Sequence, residues 1–426
     1  MSAARESAGN GRKSFATTAG TLTGFRPGLV AIDMLASVAL RARAGGVPAL
    51  LAVVLLAGCQ SVPAPTATAS RFELAFIGHQ VLPHKFRYND TVVGGLSGID
   101  YDTATHRYWS ISDDRSEFGP SRFYELALDL AQFSKAPAPG HAGIAFTGVY
   151  TLKRPDGSVF ADYSKDQANA ADPESIRVHA PSGRLVWSSE GDRIVAAGKP
   201  PVLVDPHVWE MERDGRFVRA LPVPDKFRAS AANRGVRRNL AFEGISFTPD
   251  AATLYVAMEN ALLQDGPIPT LGNGSASRIL EYDYASGEVR AEFVYEVSPI
   301  PVPPKEPGKF ADNGISEILA IDRNRLLVME RSYAQGAGNT IRLFDVDLSG
   351  ATNVAQFDSL AGKRYVPATK RLLFDFATLP IRLDNLEGMT WGPRLSNGNR
   401  TLIFVSDDNF SESQINLFVA LEVRER

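Results

Sequence analysis

The chain has 426 residues and a formal net charge of −3 at pH 7, and its lysine and arginine residues are dispersed along the sequence. Nucleic-acid-binding surfaces need clustered basic side chains, so this distribution argues against a nucleic-acid partner. Cys59 is the single cysteine, which excludes an intramolecular disulfide and any metal site made of several cysteines.

Residues 1–58 have the composition of a leader rather than of a folded domain. Residues 47–58 (VPALLAVVLLAG) are apolar but short for a transmembrane span, which takes about 20 residues. Arg41 and Arg43 precede this run and small residues follow it, as in a bacterial secretion signal. Because residues 1–33 show no pattern, the true start is expected at Met34; the alternative is an unusually long basic leader.

The residues just before Cys59 (LAGC, 56–59) resemble the lipobox of bacterial lipoproteins. We therefore predict cleavage before Cys59 and lipid on its thiol, the alternative being an ordinary buried cysteine. Residues 59–70 form a Pro/Ala/Thr/Ser-rich tether. This organisation leaves residues 71–426 for the fold and places the protein in the cell envelope, with the periplasmic face of the outer membrane favoured.

A hairpin signature with acidic residues at its ends occurs five times in the remaining chain. The copies are residues 96–116, 173–193, 242–262, 315–333 and 385–410. In each copy an acid closes the second strand, and these closing acids are spaced 69 to 77 residues apart: Asp113, Glu190, Glu259, Glu330 and Asp407. A fixed period of this kind indicates equivalent units that are stacked or arranged radially.

Each unit contains further strand-like runs after its signature. In chain order these are residues 122–130, 144–152, 207–212, 217–222, 277–284, 288–297, 340–348, 370–376 and 414–423. Four antiparallel strands per unit is typical of a propeller blade. The fifth unit lacks one strand, which residues 71–80 can supply, and sharing that blade between the chain ends closes the ring. We predict an all-β fold, a β-propeller of five four-stranded blades, with six possible.

The loop lengths distinguish the two ends of this propeller. Tight turns join the strands at one end, whereas residues 153–172, 225–239, 262–276 and 298–313 form long loops at the other. Long loops on a rigid scaffold commonly carry function. The end with the long loops is therefore predicted to be the functional face.

The two strands of a signature leave this face and return to it, so their terminal acids should be neighbours. The pairs are Glu174 with Glu190, Glu243 with Glu259 and Glu387 with Asp407, and Ser97 and Ser316 replace the first acid in two units. Eight carboxylates would then share one funnel and need compensation.

That compensation could come from calcium, which prefers oxygen ligands, or from the arginines that follow the acids, Arg115, Arg193 and Arg331. Carboxylates, arginine and calcium together would suit a phosphate ligand. Three roles remain open for the acids: structural pairing, metal binding, or direct acid–base catalysis. The chain contains no G-x-S-x-G nucleophile elbow, no H-E-x-x-H zinc motif, no Walker loop and no dinucleotide fingerprint.

Several sequence blocks resemble a known family. They include GGLSGIDYD (94–102), FEGISFTPD (242–250), GISEILAID (314–322), DNLEGM (384–389) and VSDDNF (405–410). They are similar to the "esterase-like activity of phytase" domain family over residues 72–426. The resemblance implies a β-propeller and export. It also implies a relationship to β-propeller phytases, which hydrolyse phosphate esters with calcium held by acidic residues on one face.

Carried over by matching blocks, the resemblance points to Asp113, Glu190, Glu243, Glu259, Glu330, Arg331, Glu387 and Asp407. The chain lacks the dense lysine and arginine cluster suited to phytate, so a smaller phosphoester or a carboxylic ester is the expected substrate. The alternative is a non-enzymatic envelope propeller that binds a ligand or a protein partner, with structural acids.

The working hypothesis is a monomeric, lipid-anchored propeller that hydrolyses a small-molecule ester with calcium. Within it we assign three roles to three groups of residues. The expected catalytic residues are Glu243, Glu387 and Arg331. The expected ligand-binding residues are Asp113, Arg115 and Arg193. The expected metal ligands are Glu190, Glu259, Glu330 and Asp407.

Overall fold

The computed structural model describes residues 71–425, and every regular element there except four short 3₁₀ helices is a β-strand. No helix among these residues is long and apolar enough to cross a membrane. The predicted secretion signal, the lipidated Cys59 and the tether lie outside the described residues.

The regular elements of the described chain are numbered in chain order. The strands are β1 (Phe72–Leu82), β2 (Arg87–Tyr88), β3 (Thr91–Val92), β4 (Leu96–Asp102), β5 (Arg107–Ser112), β6 (Arg122–Leu128), β7 (Ile144–Thr151), β8 (Pro173–His179), β9 (Arg184–Ser189), β10 (Asp192–Ile194), β11 (Val202–Val204), β12 (His207–Met211), β13 (Phe217–Ala220), β14 (Phe242–Phe247), β15 (Thr253–Met258), β16 (Ser275–Asp283), β17 (Val289–Val297), β18 (Ala311–Ala320), β19 (Arg325–Ala334), β20 (Gly338–Asp347), β21 (Thr369–Asp375), β22 (Asn385–Gly392), β23 (Arg400–Asp407) and β24 (Asn416–Glu425). The 3₁₀ helices are Leu130–Gln132, Gln167–Asn169, Asp225–Phe227 and Phe376–Thr378.

Twenty of these strands form five four-stranded antiparallel sheets, which are the blades of a β-propeller, and the other four form two small hairpins. Blade 1 is β4–β7, blade 3 is β14–β17 and blade 4 is β18–β21. Blade 2 consists of β8, β9, β12 and β13, with the β10–β11 hairpin inserted between β9 and β12. Blade 5 consists of β22–β24 and β1. The predicted fold class and the number of five blades are confirmed.

The two ends of the folded chain close the ring in blade 5. Strand β1 pairs antiparallel with β24, from Phe72 opposite Glu425 to Leu82 opposite Asn416. The prediction that the N-terminal strand completes the C-terminal blade is confirmed. Closing the ring in this way leaves no gap between the first blade and the last, where an unpaired strand edge could recruit another chain.

Apolar side chains fill the spaces between neighbouring blades. Between blades 4 and 5, for example, Leu327 and Met329 belong to the same buried cluster as Met389 and Phe404. Burying a large apolar side chain contributes about 1.5–3 kcal/mol to folding. Because each sheet is covered on both sides, its inner strand is held in a fixed position around the axis.

The first strand of every blade lies innermost, and β4, β8, β14, β18 and β22 contact one another in a closed ring. Each of these strands has an irregularity in its pairing with the next strand, near its first residues in four blades and between Ile315 and Glu317, in the middle of the strand, in β18. A bulge of this type re-aims the side chain of the extra residue. The residues at the start of the five bulges are Ser97, Glu174, Glu243, Ser316 and Glu387.

One position further along the inner strands, four of the five blades have a small residue, which lets the strands approach the axis closely. These residues are Gly98, Ser175, Gly244 and Gly388, and blade 4 has Glu317 at this position. A Cβ on Gly244 would lie 2.6 Å from Oε1 of Glu317, so the glutamate side chain occupies the space that the glycines leave. The axial channel is therefore filled at this level.

Arg177 closes the channel two residues further along β8. Its Nε donates to the carbonyl of Ile245 at 2.6 Å, and its Nη1 donates to the carbonyl of Ile99 at 2.6 Å. Its Nη2 donates to the carbonyl of Ile318 at 3.1 Å and lies 2.8 Å from Oε2 of Glu317. Because these acceptors belong to the inner strands of three other blades, the guanidinium lies on the axis, and the space above it is a blind funnel.

The long loops lie at the end of the propeller where the inner strands begin, as predicted. They connect β7 to β8, β13 to β14, β15 to β16 and β17 to β18. A further long segment, residues 348–368, lies between β20 and β21 and was not among the predicted loops. Its Val354 and Ala368 backbone N–H groups donate to the Glu292 and Val294 carbonyls on β17, both at 2.8 Å. This segment covers the outer edge of blade 3.

Candidate metal and active site

Ten ring positions surround the mouth of the funnel, two from each blade. The first is the bulge residue of the inner strand. The second lies on the second strand, directly after the partner of the residue that precedes the bulge. In blade order the pairs are Ser97 and Asp113, Glu174 and Glu190, Glu243 and Glu259, Ser316 and Arg331, and Glu387 and Asp407. The predicted neighbours are thus brought together in four blades, and Arg331 takes the second ring position in blade 4.

Glu330 lies one residue before this position, opposite Ile315 in the ladder between β18 and β19. Successive side chains of a strand point to opposite faces, so Glu330 and Arg331 point apart. Oε1 of Glu330 accepts hydrogen bonds from Tyr295 Oη at 2.7 Å and Lys370 Nζ at 2.6 Å, while Oε2 accepts one from Asn313 Nδ2 at 3.1 Å. The structure does not place Glu330 with the other closing acids.

Two polar residues at the site, Asp172 and Asn385, were not predicted from the sequence. Each lies two positions before the bulge residue of its blade, blade 2 and blade 5. Asp172 receives a two-pronged contact from Arg115, with Nε–Oδ1 and Nη2–Oδ2 distances of 2.7 Å. Asn385 donates through Nδ2 to Glu387 Oε1 at 2.8 Å and to Asp407 Oδ2 at 3.1 Å. The other three blades have glycine or alanine at this position. A comparison of the five repeats at this position could therefore have identified Asp172 and Asn385 from the sequence.

Two groups of three acids have geometry suited to a cation. In each group, one carboxylate oxygen from every residue lies within 4.8 Å of the other two. The first group is Asp172, Glu174 and Glu190, and the second is Glu190, Glu243 and Glu259. Glu190 belongs to both groups. Its Oε1 accepts a hydrogen bond from the Ala241 backbone N–H at 2.6 Å. Its Oε2 has no hydrogen-bond partner among the described residues, although the side chain is only 2% exposed.

Burial makes these carboxyl groups hard to ionise. Burial and the charge of Asp172 raise the pKa of Glu190 to about 8. Burial raises the pKa of Asp172 to about 6 despite the opposing charge of Arg115. Burial first, and then the charges of neighbouring carboxylates, raise the pKa values of five more groups well above their usual range: Asp113, Glu174, Glu243, Glu259 and Asp407. The pKa of Glu387 is raised by burial and lowered in part by Arg331.

Two arginines compensate part of this negative charge. Nη2 of Arg331 lies 3.6 Å from Oε1 of Glu259 and 3.4 Å from Oε1 of Glu387, so it bridges blades 3 and 5 from blade 4. Arg115 contacts Asp172 on the opposite side and donates to Asn239 Oδ1 at 2.6 Å. Arg193, on β10, donates instead to the carbonyls of Ser230 and Ala232 at 2.7 and 3.1 Å.

The ring and Asp172 together contain eight carboxyl groups. Two arginines accompany them: Arg331 is part of the ring, and Arg115 lies beside it. Buried carboxylates of this number need protons or a cation to balance them. A hydroxyl at the fourth bulge, Ser316 Oγ, is also buried without a hydrogen-bond partner among the described residues. The arrangement can hold a hard cation between oxygen ligands and present arginine to an anionic group.

The fold and the site define this protein as a five-bladed β-propeller with an acidic funnel at its loop-rich end. The chain belongs to the phytase-like family described as "Esterase-like activity of phytase", which matches residues 91–410. The resemblance drawn from the sequence blocks is thereby confirmed.

Other comparisons are more distant. The chain is 23% identical over 286 residues to an uncharacterized secreted protein of Arthroderma benhamiae, covering 52% of this chain and 55% of that protein. The chain thus spans about half the length of that curated relative. Among solved structures, a gluconolactonase of Xanthomonas campestris is similar at 13% identity and a TM-score of 0.32, covering 82% of this chain and 89% of that one. The structure of U3-55K is similar at 7% identity and a TM-score of 0.34, covering 80% and 98%.

Proposed function

We propose that this protein hydrolyses an ester, with a phosphoester favoured, and uses a divalent cation, calcium, at the acidic funnel. One observation carries the proposal: the funnel has eight carboxyl groups but two guanidinium groups, and the buried Oε2 of Glu190 has no hydrogen-bond partner among the described residues. Glu190 belongs to both acid groups, and an acid cluster with purely structural roles would be expected to satisfy the buried oxygen of such a shared residue from within the protein.

The residues present fit calcium better than a transition metal, because the ligands are all oxygens and no cysteine or histidine belongs to either acid group. Asp172, Glu174, Glu190, Glu243 and Glu259 would hold the ion. When bound, calcium would polarise the phosphoryl group and lower the pKa of a bound water.

The protein's own residues supply binding and charge stabilisation. The Arg331 side chain is 14% exposed, so the accessible part of its guanidinium can donate to a substrate oxygen as charge develops there. Glu387 lies beside Arg331, and burial raises its pKa. A carboxyl group with a raised pKa can give its proton to a leaving oxygen. Glu243, which was also expected to be catalytic, belongs instead to the second group of acids. Because Arg177 closes the axis, substrate would enter and leave at the loop end.

We further propose that the protein is exported and acts as a monomer held at the membrane by lipid on Cys59. The LAGC sequence and the preceding apolar run support this, and the fungal relative is itself described as secreted. Mass spectrometry of the mature N-terminus checks it: a diacylated Cys59 that disappears in Cys59→Ser is the expected result, and an unmodified thiol would contradict the anchor.

The central experiment combines calcium binding with turnover. Calcium is titrated into EDTA-treated protein by calorimetry, thermal unfolding is followed in parallel, and phosphomonoesters and carboxylic esters are assayed. We expect Glu190→Gln to weaken calcium binding by at least tenfold and to abolish turnover. The control Glu412→Gln changes an acid whose side chain is 83% exposed and should leave both unchanged. Absence of both a calcium response and turnover would favour a non-enzymatic propeller with structural acids.

A further inference from the structure

Two phenylalanines stack at the rim of the funnel, where blades 1 and 5 meet. Phe118 lies between β5 and β6, and Phe410 follows β23. Their ring centroids are 4.4 Å apart and their planes differ by 14°. Phe118 is 55% exposed, so a large apolar surface of this stack faces solvent on the functional side of the molecule.

The stack lies directly beside the ring of acids. A Cβ on Gly94 would lie 2.7 Å from Cε1 of Phe410. A Cβ on Gly95 would lie 2.9 Å from Cε2 of Phe410 and would overlap Oδ1 of Asp113. The edge of the Phe410 ring therefore lies against the two glycines, and the Asp113 carboxylate approaches the same glycine, Gly95.

The backbone is strained in order to hold Phe410 in this place. Asn409 and Phe410 both have left-handed backbone conformations, with φ of 46° and 52°. This region is unfavourable for a non-glycine residue. Oδ1 of Asp408 stabilises the turn by accepting from the Gly95 and Phe410 backbone N–H groups at 3.0 and 3.2 Å. The Arg122 guanidinium lies 5.7 Å from the Phe410 ring.

We propose that the Phe118–Phe410 stack is a substrate subsite that binds a flat aromatic ring on the organic side of the ester. This proposal rests on the proposed function, because it assigns the part of the substrate that projects from the acids. Ring faces attract other rings in offset-stacked geometry, and such a pair contributes more than its buried area alone. Phe410 covers one face of Phe118 and the residue is 55% exposed, so Phe118 offers that geometry to a ring whose ester group enters the funnel.

The test compares benzyl phosphate with cyclohexylmethyl phosphate, two substrates of similar size of which only the first has a planar ring. Phe118→Ala should raise KM for benzyl phosphate about 2- to 10-fold, leave kcat unchanged, and change KM for the cyclohexyl ester less than twofold. Phe118→Tyr should restore the benzyl KM. Phe310→Ala removes a phenylalanine that is 60% exposed and should have no effect. Equal shifts for both substrates, or none, would overturn the subsite.

Calorimetric binding of benzylphosphonate separates this proposal from the proposed function. Binding that Phe118→Ala weakens, without hydrolysis of either ester, would retain the subsite and reject the hydrolase. If Phe118→Ala hydrolyses both esters with the KM and kcat of the unaltered protein, the hydrolase is retained and the subsite is rejected. A dimer that Phe118→Ala dissociates, with KM unchanged, would assign the stack to contact with a second copy and overturn the proposal.

Discussion

Arg177 and Glu317 form a buried ion pair on the propeller axis, with 2.8 Å between Nη2 and Oε2. The Glu317 carboxylate also accepts a hydrogen bond from Ser175 Oγ at 2.9 Å. The pair lies beneath the acidic funnel and ties the inner strands of several blades to one another. It therefore forms the floor of the funnel and fixes the spacing of the strands that carry the acids above it.

Replacing the central arginine should strongly destabilise the propeller. Arg177→Met leaves Glu317 buried without its cation and several carbonyls without a donor, which costs about 3–5 kcal/mol. Urea denaturation should show this loss. The control Arg216→Met removes an ion pair with Asp214 in which both side chains are more than half exposed, and it should change stability little. A loss below about 1 kcal/mol for Arg177→Met would contradict the role assigned to it.

The close approach of the inner strands should make their glycines intolerant of a methyl group. Gly244→Ala would place a Cβ 2.6 Å from the backbone N of Ile318 and equally close to Oε1 of Glu317. We expect a loss of about 1–3 kcal/mol, since overpacking forces backbone shifts. Gly350→Ala, at a position with nothing within 4 Å of the new Cβ, should be close to neutral. Thermal unfolding of both variants measures the difference.

Because Glu330 lies outside the ring of acids, its replacement should leave calcium affinity unchanged, whereas replacement of a ring acid should lower it. Glu330→Gln leaves the Lys370 ammonium without its carboxylate and should lower stability by about 1–3 kcal/mol. Its calcium affinity should match that of the unaltered protein. Glu259→Gln should instead weaken calcium binding while preserving or raising the stability of the calcium-free protein, because it removes a buried carboxyl group whose ionisation is unfavourable. Equal loss of calcium binding in both variants would place Glu330 at the metal after all.

The acid cluster should make calcium-free stability fall as pH rises from about 7 to about 8. The pKa of Glu190 is raised to about 8 and that of Glu317 to about 7, both chiefly by burial. The unfolded chain ionises these groups near pH 4.5, so below the folded-state pKa the folded state holds more protons than the unfolded chain and each rise in pH favours unfolding. The loss ends once the group is also ionised in the folded state. Histidines with lowered pKa values act in the opposite sense only at lower pH.

Urea unfolding at several pH values in EDTA measures this slope. Glu190→Gln should reduce it, and saturating calcium should remove it because the ion binds the ionised carboxylates. A calcium-free stability that is constant or rises over this range would show that the cluster is ionised in the folded protein without an ion.

Arg331 should affect turnover more than substrate binding. Arg331→Met removes the donor that faces Glu259 and Glu387, and we expect kcat to fall about 100-fold with a smaller change in KM. Arg342→Met is the matched control, because Arg342 lies on the next strand and pairs with Asp375 at 3.2 Å away from the ring. A kcat within about twofold of the unaltered value would assign Arg331 to charge compensation alone.

The sequence by itself determined the architecture of this protein. Each strand has its own alternating pattern and each hairpin its own turn residues, and these are local properties that a repeat search recovers. The five blades, the order of their strands, the strand shared between the chain ends and the loop-rich face all followed from them. The resemblance to the family followed too, because its blocks coincide with the hairpin signatures.

Only the tertiary structure decided which side chains line the funnel. The bulge in each inner strand and the strand pairing beside it set the register, and a shift of one residue moves a side chain to the opposite face. Counting to the nearest acid selected Glu330, whereas the ladder places Arg331 on the ring. Asp172 joins the acids through a contact with Arg115, 57 residues away in the chain. Such contacts arise because the blades meet around one axis, which no local pattern records.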